Sequence, residues 1–326
     1  MASFTAKNQS LYRVIHAAEL YYILESNNVN AHYYADDTQI LIEIGGADET
    51  QAIINDIIGK ISTWMRGRKL KLNVEKTESI IIKSNALNND SQFNTVNIDG
   101  NSIQIKDSGR SLGVIFDSNL DMKTQLNQAK KKAVYNLINI RRIAKFINEK
   151  ARIKLVHCMV FSQLDYCNAL YYGLPNRDIK PLQIILNNSS RMIKGMARYS
   201  RERITPVNIS LHFLPIKARI IYKLCLLVYK GIHHENPAYI SELLKSYEPQ
   251  RSLRTSERLL LQEPVVAAAA YSNRCFRYCA PRVHSKLPLE VRSSHSLAIF
   301  KNKLKTELFQ RAYDLDELTI RSEFDI

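Results

Sequence analysis

The chain has 326 residues, 45% of them hydrophobic, enough to bury the core of one large domain or two ordinary ones. Its 46 lysines and arginines against 31 aspartates and glutamates give a formal net charge of +15, an excess that suits a polyanionic partner such as nucleic acid or an acidic membrane surface. No apolar run approaches the roughly 18 residues of a membrane span, and the first ten residues lack a basic stretch followed by an apolar one. The expectation is an intracellular protein, nuclear or cytoplasmic, with no membrane partner.

Residues 1–20 show no assignable pattern. From Ala31 to Ile44 the chain reads as a hairpin of two Tyr- and Ile-rich strands, with Asp36 and Asp37 at its tip. An amphipathic helix follows from Asp48 to about Met65, and Ala52, Ile53, Ile57, Ile61 and Trp64 form the face expected to turn toward a sheet. Thr77 to Ile82 predicts a strand, Thr95 to Ile105 a hairpin turning at Asp99-Gly100, and Ser111 to Phe116 a further strand.

The charge then changes character. Residues 121–230 hold 21 lysines and arginines against 5 acids, so this third of the chain carries the whole basic excess. Leu126, Ala129, Ala133, Leu137, Ile140, Ile143 and Ala144 recur at helical steps, with Lys130, Lys131, Arg141, Arg142 and Lys145 between them. A basic amphipathic helix is predicted there. Further helices are predicted over Glu149 to Tyr172, stopped by Gly173 and Pro175, and over Asp178 to Met192, stopped near Gly195. Charged helix faces ordinarily serve solubility, but a 21-to-5 imbalance favours contact with phosphates.

Beyond Lys230 the chain returns to neutrality, punctuated by prolines, and a last helix is predicted from Ser296 to Ala312 with Phe300, Leu304 and Leu308 on one face. The short Val265 to Ala270 run is the one low-complexity feature. Five cysteines, Cys158, Cys167, Cys225, Cys275 and Cys279, lack Cys-x-x-Cys spacing and read as core thiols. His284 is the only histidine following Cys275 and Cys279 near ligand spacing, which does not make a zinc site.

Two adjacent carboxylates repel and raise each other's pKa unless a cation sits beside them, and a hard divalent ion with oxygen ligands is the usual answer. The segment Tyr34-Ala35-Asp36-Asp37, with strand on either side, resembles palm motif C of reverse transcriptases. Later segments continue the likeness in order. Trp64, Leu70-Lys71-Leu72-Asn73 and Lys76-Thr77-Glu78 resemble motif D, and Ser111-Leu112-Gly113-Val114-Ile115-Phe116-Asp117 resembles motif E, the primer grip. Leu164-Asp165-Tyr166-Cys167-Asn168, Tyr172-Gly173-Leu174-Pro175, Leu182-Gln183 with Asn187-Asn188, and Leu211-His212-Phe213-Leu214-Pro215 are similar to the thumb and connector of LINE-type elements. Arg251-Ser252-Leu253-Arg254 and Leu287-Pro288-Leu289-Glu290-Val291-Arg292 extend the likeness toward the end of the chain. Over about Tyr21 to Tyr313 the sequence thus resembles the C-terminal part of a non-LTR, jockey-like retrotransposon reverse transcriptase.

The resemblance implies an α+β fold: a partial polymerase palm over 21–120, made of a small antiparallel sheet with one helix, a basic helical thumb and connector over 121–235, and a mixed, mostly helical C-terminal region over 236–326. It implies an RNA-directed DNA polymerase acting on an RNA/DNA template–primer, with Mg²⁺ held by Asp36 and Asp37. Lys76 takes the place of the lysine that protonates or stabilises pyrophosphate, a place where a surface lysine after a turn is equally ordinary. Leu112 and Gly113 would let the primer approach backbone closely, the alternative being a simple bulge at Gly113.

Family palms also use a motif A aspartate and a motif B Gln-Gly segment upstream of motif C, and the 35 residues before Asp36 supply neither. The expectation is impaired catalysis with weak Mg²⁺ binding, and template–primer binding retained. The hairpin's outer edge is expected to be open to a missing N-terminal palm and fingers or to self-association. The competing readings are a non-catalytic nucleic-acid-binding module derived from a mobile element and an interaction protein.

Overall fold

The computed structural model describes residues 19–313, except 28, 36, 44, 71, 72, 83–93, 99, 198, 199, 248–258 and 265–273. Asp36, Lys71, Leu72, Asp99, the Arg251–Arg254 motif and the Val265–Ala270 run therefore lie outside the described residues. The fold is α+β with helix predominating. The chain divides into two compact units between Leu120 and Asp121.

In the first unit a helix over 19–25, α1, leads into an antiparallel hairpin of β1 (Asn30–Tyr34) and β2 (Asp37–Leu41). Alternation sets its faces: Ala31, Tyr33 and Ile40 turn inward, and their neighbours stay exposed. The inward face packs with Leu20 and Leu24 on α2 (Ala47–Gly67), through Ile57 and Ile61. The other flank of α2, Ile54 and Ile58, meets Val96, Ile98 and Ile103 on a second sheet. That sheet has the order β3 (Ser79–Ile80), β5 (Asn101–Lys106), β4 (Thr95–Ile98), with β3 parallel and β4 antiparallel to the middle strand.

One helix thus serves two sheets, and this shifts its buried stripe from the one expected. Ala52 and Ile53 are exposed, and Ile54, Ile57, Ile58 and Ile61 do the packing. Each fully buried isoleucine contributes about 2 kcal/mol, so the stripe that meets two partners is the favoured one. Gly100, in the left-handed region at φ 79, turns β4 into β5. The strand expected over Ser111 to Phe116 is instead a tight hairpin, β6 (Ser108–Ser111) and β7 (Val114–Asp117), because Leu112 at φ 47 and Gly113 at φ 81 reverse the chain.

The second unit is helical. Its α3 (Lys123–Ile143) buries Leu126, Ala129, Ala133, Leu137 and Ile140, while Ile143 lies exposed where the helix tightens into a 3-10 turn at Ala144–Phe146. The single helix expected over Glu149 to Tyr172 is broken into pieces. After α4 (Glu149–Leu155) the coil widens to a π-helical segment at Val156–Phe161, narrows through α5 (Ser162–Asp165), and reverses at Cys167, φ 51. The Asn136 side chain donates to the Met159 carbonyl at 2.7 Å, an external partner for a helix ladder disturbed there.

Next come α6 (Asn176–Ile193), α7 (Ile204–Ser210), α8 (Ile216–Ile232) and α9 (Ala238–Ser241), then α10 (Phe276–Ser285), α11 (Leu289–Arg292) and α12 (Leu297–Tyr313). The central α8 contacts α6, α10 and α12, so the described parts of 121–235 and of 236–313 share one core. Phe300, Leu304 and Leu308 of α12 are buried there, with Phe300 stacked on Tyr229 at 4.2 Å. Of the five thiols, Cys225 and Cys279 are buried, but Cys158 and Cys275 are exposed, against the expectation of five core residues. Burial pushes the Cys279 thiol up to about 12, which keeps it protonated and inert.

Candidate nucleic-acid interface

The acidic hairpin forms as a two-residue reversal. Tyr34 and Asp37 are directly paired across it, so Asp37, expected at the tip, is the first residue of β2, and Ala35 takes the left-handed conformation at φ 54. Asp37 is exposed on the hairpin's outer face, in register with Tyr34, while His32 pairs with Gln39 and Asn30 with Leu41 along the same face. Among the described residues β1 and β2 pair only with each other. No group of three His, Cys, Asp or Glu side chains gathers into a metal-ligand set among the described residues. Asp37 is thus the one described carboxylate of the expected Mg²⁺ pair.

Lys76 is exposed at the end of a 3-10 turn, Val74–Lys76, held by Asn73, whose side chain accepts from the Lys76 amide at 3.2 Å. Its neighbour Glu78 has a defined structural task. The Glu78 carboxylate accepts from the Arg110 amide at 2.8 Å and from Lys106 Nζ at 2.9 Å, and the backbone donor first, then the lysine, holds its pKa below the usual carboxylate range. A Cβ on Gly109 would stand 2.8 Å from Ile80, so glycine lets β6 come close to that strand. Leu112 and Gly113 form the exposed turn of the β6–β7 hairpin, a ladder separate from β1–β2. The shape is a turn and not a bulge.

The basic residues of the second unit do not share one surface. Some are internal. Arg152 donates to the carbonyls of Ala144 at 2.9 Å, Ile147 at 3.1 Å and Ile193 at 3.0 Å, tying the end of α3 to the end of α6. Arg219 pairs with Asp165 and lies 4.7 Å over the Phe161 ring, while at the surface Lys194 pairs with Glu149 at 2.7 Å. These cations hold the fold together.

Others are exposed on α4, α6 and α8, among them Lys154, Arg177, Lys180, Lys217 and Lys223, and one group lines the outer side of α3. Residues 122–148 contain seven lysines and arginines and no acid. Lys131, Arg141, Arg142 and Lys145 are exposed and Lys130 is half-buried; no ion pair among the described residues engages any of the five. Lys131, Tyr135, Ile138 and Arg142 follow at steps of four, three and four, which places them in one stripe opposite the buried face. The sequence pattern singled out the cations of this surface but missed its rings. Tyr135 is 67% and Phe146 75% exposed, and Lys145 Nζ sits 4.7 Å from the centre of the Phe146 ring. Their signal was present as apolar residues out of phase with the core repeat.

The carbonyl end of a helix ordinarily repels anions. Beyond the end of α3 the Arg152 guanidinium engages the carbonyls of Ala144 and Ile147, and the acid-free stretch stops at exposed Glu149.

Comparison with known proteins adds nothing to this geometry: no protein-family model matches the chain, and neither a curated protein nor a solved structure does. No helix among the described residues is long and apolar enough to cross a membrane.

Proposed function

We propose that this chain is the nucleic-acid-holding part of a non-LTR retrotransposon reverse transcriptase, binding an RNA/DNA template–primer along the outer side of α3. The observation that carries the reading is the acid-free stretch 122–148, whose cations stand exposed beside solvent-facing rings. Such a surface answers a phosphate chain better than it answers water. The ordered run of motif-like segments, from the Asp36-Asp37 hairpin to the Leu287–Arg292 stretch, supports assigning it to that enzyme class.

Within that reading Asp36 and Asp37 would hold Mg²⁺, which neutralises charge on the reacting phosphates. Lys76 would serve as the proton donor to the leaving group, and a primer would lie against the Leu112-Gly113 turn. These 326 residues contain no motif A-like carboxylate, so on their own they bind template–primer with little synthesis. A strand of a palm segment, or of a second copy, would extend the β1–β2 ladder, whose strands pair only with each other among the described residues.

Two assays on the same preparation test this. Fluorescence anisotropy with a labelled RNA/DNA template–primer should show binding that weakens steeply with added salt, and a flat salt response rejects the interface. Primer extension with Mg²⁺ should yield little product. Robust synthesis that Asp36→Asn abolishes would overturn the claim of impaired catalysis.

A further inference from the structure

We propose that Tyr135 and Phe146 are stacking platforms for unpaired bases, so that the outer side of α3 prefers single-stranded segments with accessible rings to a closed duplex. The inference rests on the nucleic-acid reading above and deepens it from charge to base contact. Cations alone recognise phosphate, which duplex and single strand both offer. Flat aromatic faces presented among cations recognise something further, the face of a base that has left its helix.

Both rings meet the requirements of such a platform. Tyr135 and Phe146 are among the most exposed large side chains of the protein, at 67% and 75%. They show no ring contact with another aromatic side chain among the described residues, whereas His157, Phe161 and Phe213, or Tyr229 and Phe300, are stacked into the core. Exposing a ring costs hydrophobic free energy that burial would recover, and two such costs on one cationic surface call for a ligand. Lys131 and Arg142 flank Tyr135 in its stripe, and Lys145 lies over Phe146, so each ring has a cation positioned for the phosphate beside a stacked base. Eleven residues separate the rings, a span of about 16 Å along a helix. They therefore serve two different nucleotides and not the two faces of one.

The test compares three labelled probes by anisotropy: a single-stranded oligonucleotide, an abasic strand of the same length and charge, and a duplex of the same sequence. The base-bearing strand should bind at least about fivefold more tightly than the abasic strand, the low end of what one stacked base supplies. In Tyr135→Ala and in Phe146→Ala that ratio should fall toward one, and Phe146→Trp should restore it. Both side chains are exposed, so unchanged thermal melting will certify the variants' fold. Equal binding of base-bearing and abasic strands by the parent protein would overturn the stacking proposal while leaving the phosphate reading intact. Failure to bind any of the three probes would overturn both.

Discussion

Arg219 on α8 closes on Asp165 at the end of α5, its Nε donating to Oδ1 at 2.8 Å and its second nitrogen to Oδ2, while its flat face lies over Phe161. Asn168 donates to the same carboxylate at 3.3 Å. The segment Leu164–Asn168, one of those on which the proposed assignment rests, therefore works as an anchor between helices far apart in sequence. Other such segments do the same. Gly173, at φ 74, leaves no room for a Cβ beside Arg274, and Gln183 accepts from the Ile216 amide at 2.8 Å.

Removing one partner of this pair strands the other. Asp165→Ala is expected to cost about 2 kcal/mol of unfolding free energy in urea, less than the roughly 3–5 kcal/mol of a fully buried pair because Asp165 is partly open to water. The double variant Asp165→Ala with Arg219→Met should recover part of that loss. A double variant no better than the single one would mean the ion pair is not what joins these helices.

The buried amide cluster behind α6 offers a second measurement. Ser190 donates to Asn208 Oδ1 at 2.6 Å, and Asn208 donates to Asn187 at 3.1 Å, which in turn accepts from Gln183 at 2.9 Å. Ser190→Ala leaves a buried acceptor short of a donor and should destabilise the protein by about 1–2 kcal/mol. Because Asn208 makes contacts on both sides, Asn208→Ala should cost more than Ser190→Ala under the same denaturant titration.

His284 sets an acid limit. Burial, with the nearby Arg292 charge second, pushes its pKa down from 6.5 to about 4. The unfolded chain takes up the proton first, so the folded state loses stability as pH falls from about 6.5 toward 4 and is unaffected above that window. A shift of this size corresponds to about 3 kcal/mol at the acid end. Melting temperature measured across that range should fall in the parent protein, and His284→Leu should flatten the slope; identical slopes would remove His284 from the account.

Salt dependence can be assigned residue by residue. If Lys131 and Arg142 each meet a phosphate, changing either to Gln should lower the slope of log affinity against log salt by about one and weaken binding similarly for every sequence. Lys194→Gln, whose cation is paired with Glu149, should leave that slope near its parent value. A Lys194 effect as large as that of Lys131 would spread the interface beyond α3.

The sequence alone determined the elements whose signals are local. The repeat of Leu126, Ala129, Ala133, Leu137 and Ile140 marks α3, Phe300, Leu304 and Leu308 mark α12, and the turn residue Gly100 marks the hairpin of β4 and β5. Side-chain period and left-handed turns are properties of a few adjacent residues, so they can be read without knowing the fold. The cations of the candidate interface were legible in the same way, as charges off the core repeat.

Only the tertiary structure decided which faces met partners. It rotated the buried stripe of α2 toward Ile54 and Ile58, broke the 149–172 helix near Val156 and Asp165, and left Cys158 and Cys275 in solvent. It also drew Arg152 and Arg219 inward, leaving Lys131, Arg142 and the Tyr135 and Phe146 rings outside. Burial depends on what arrives from elsewhere in the chain, and a cation beside a distant carbonyl or carboxylate reads, in sequence, like one beside water.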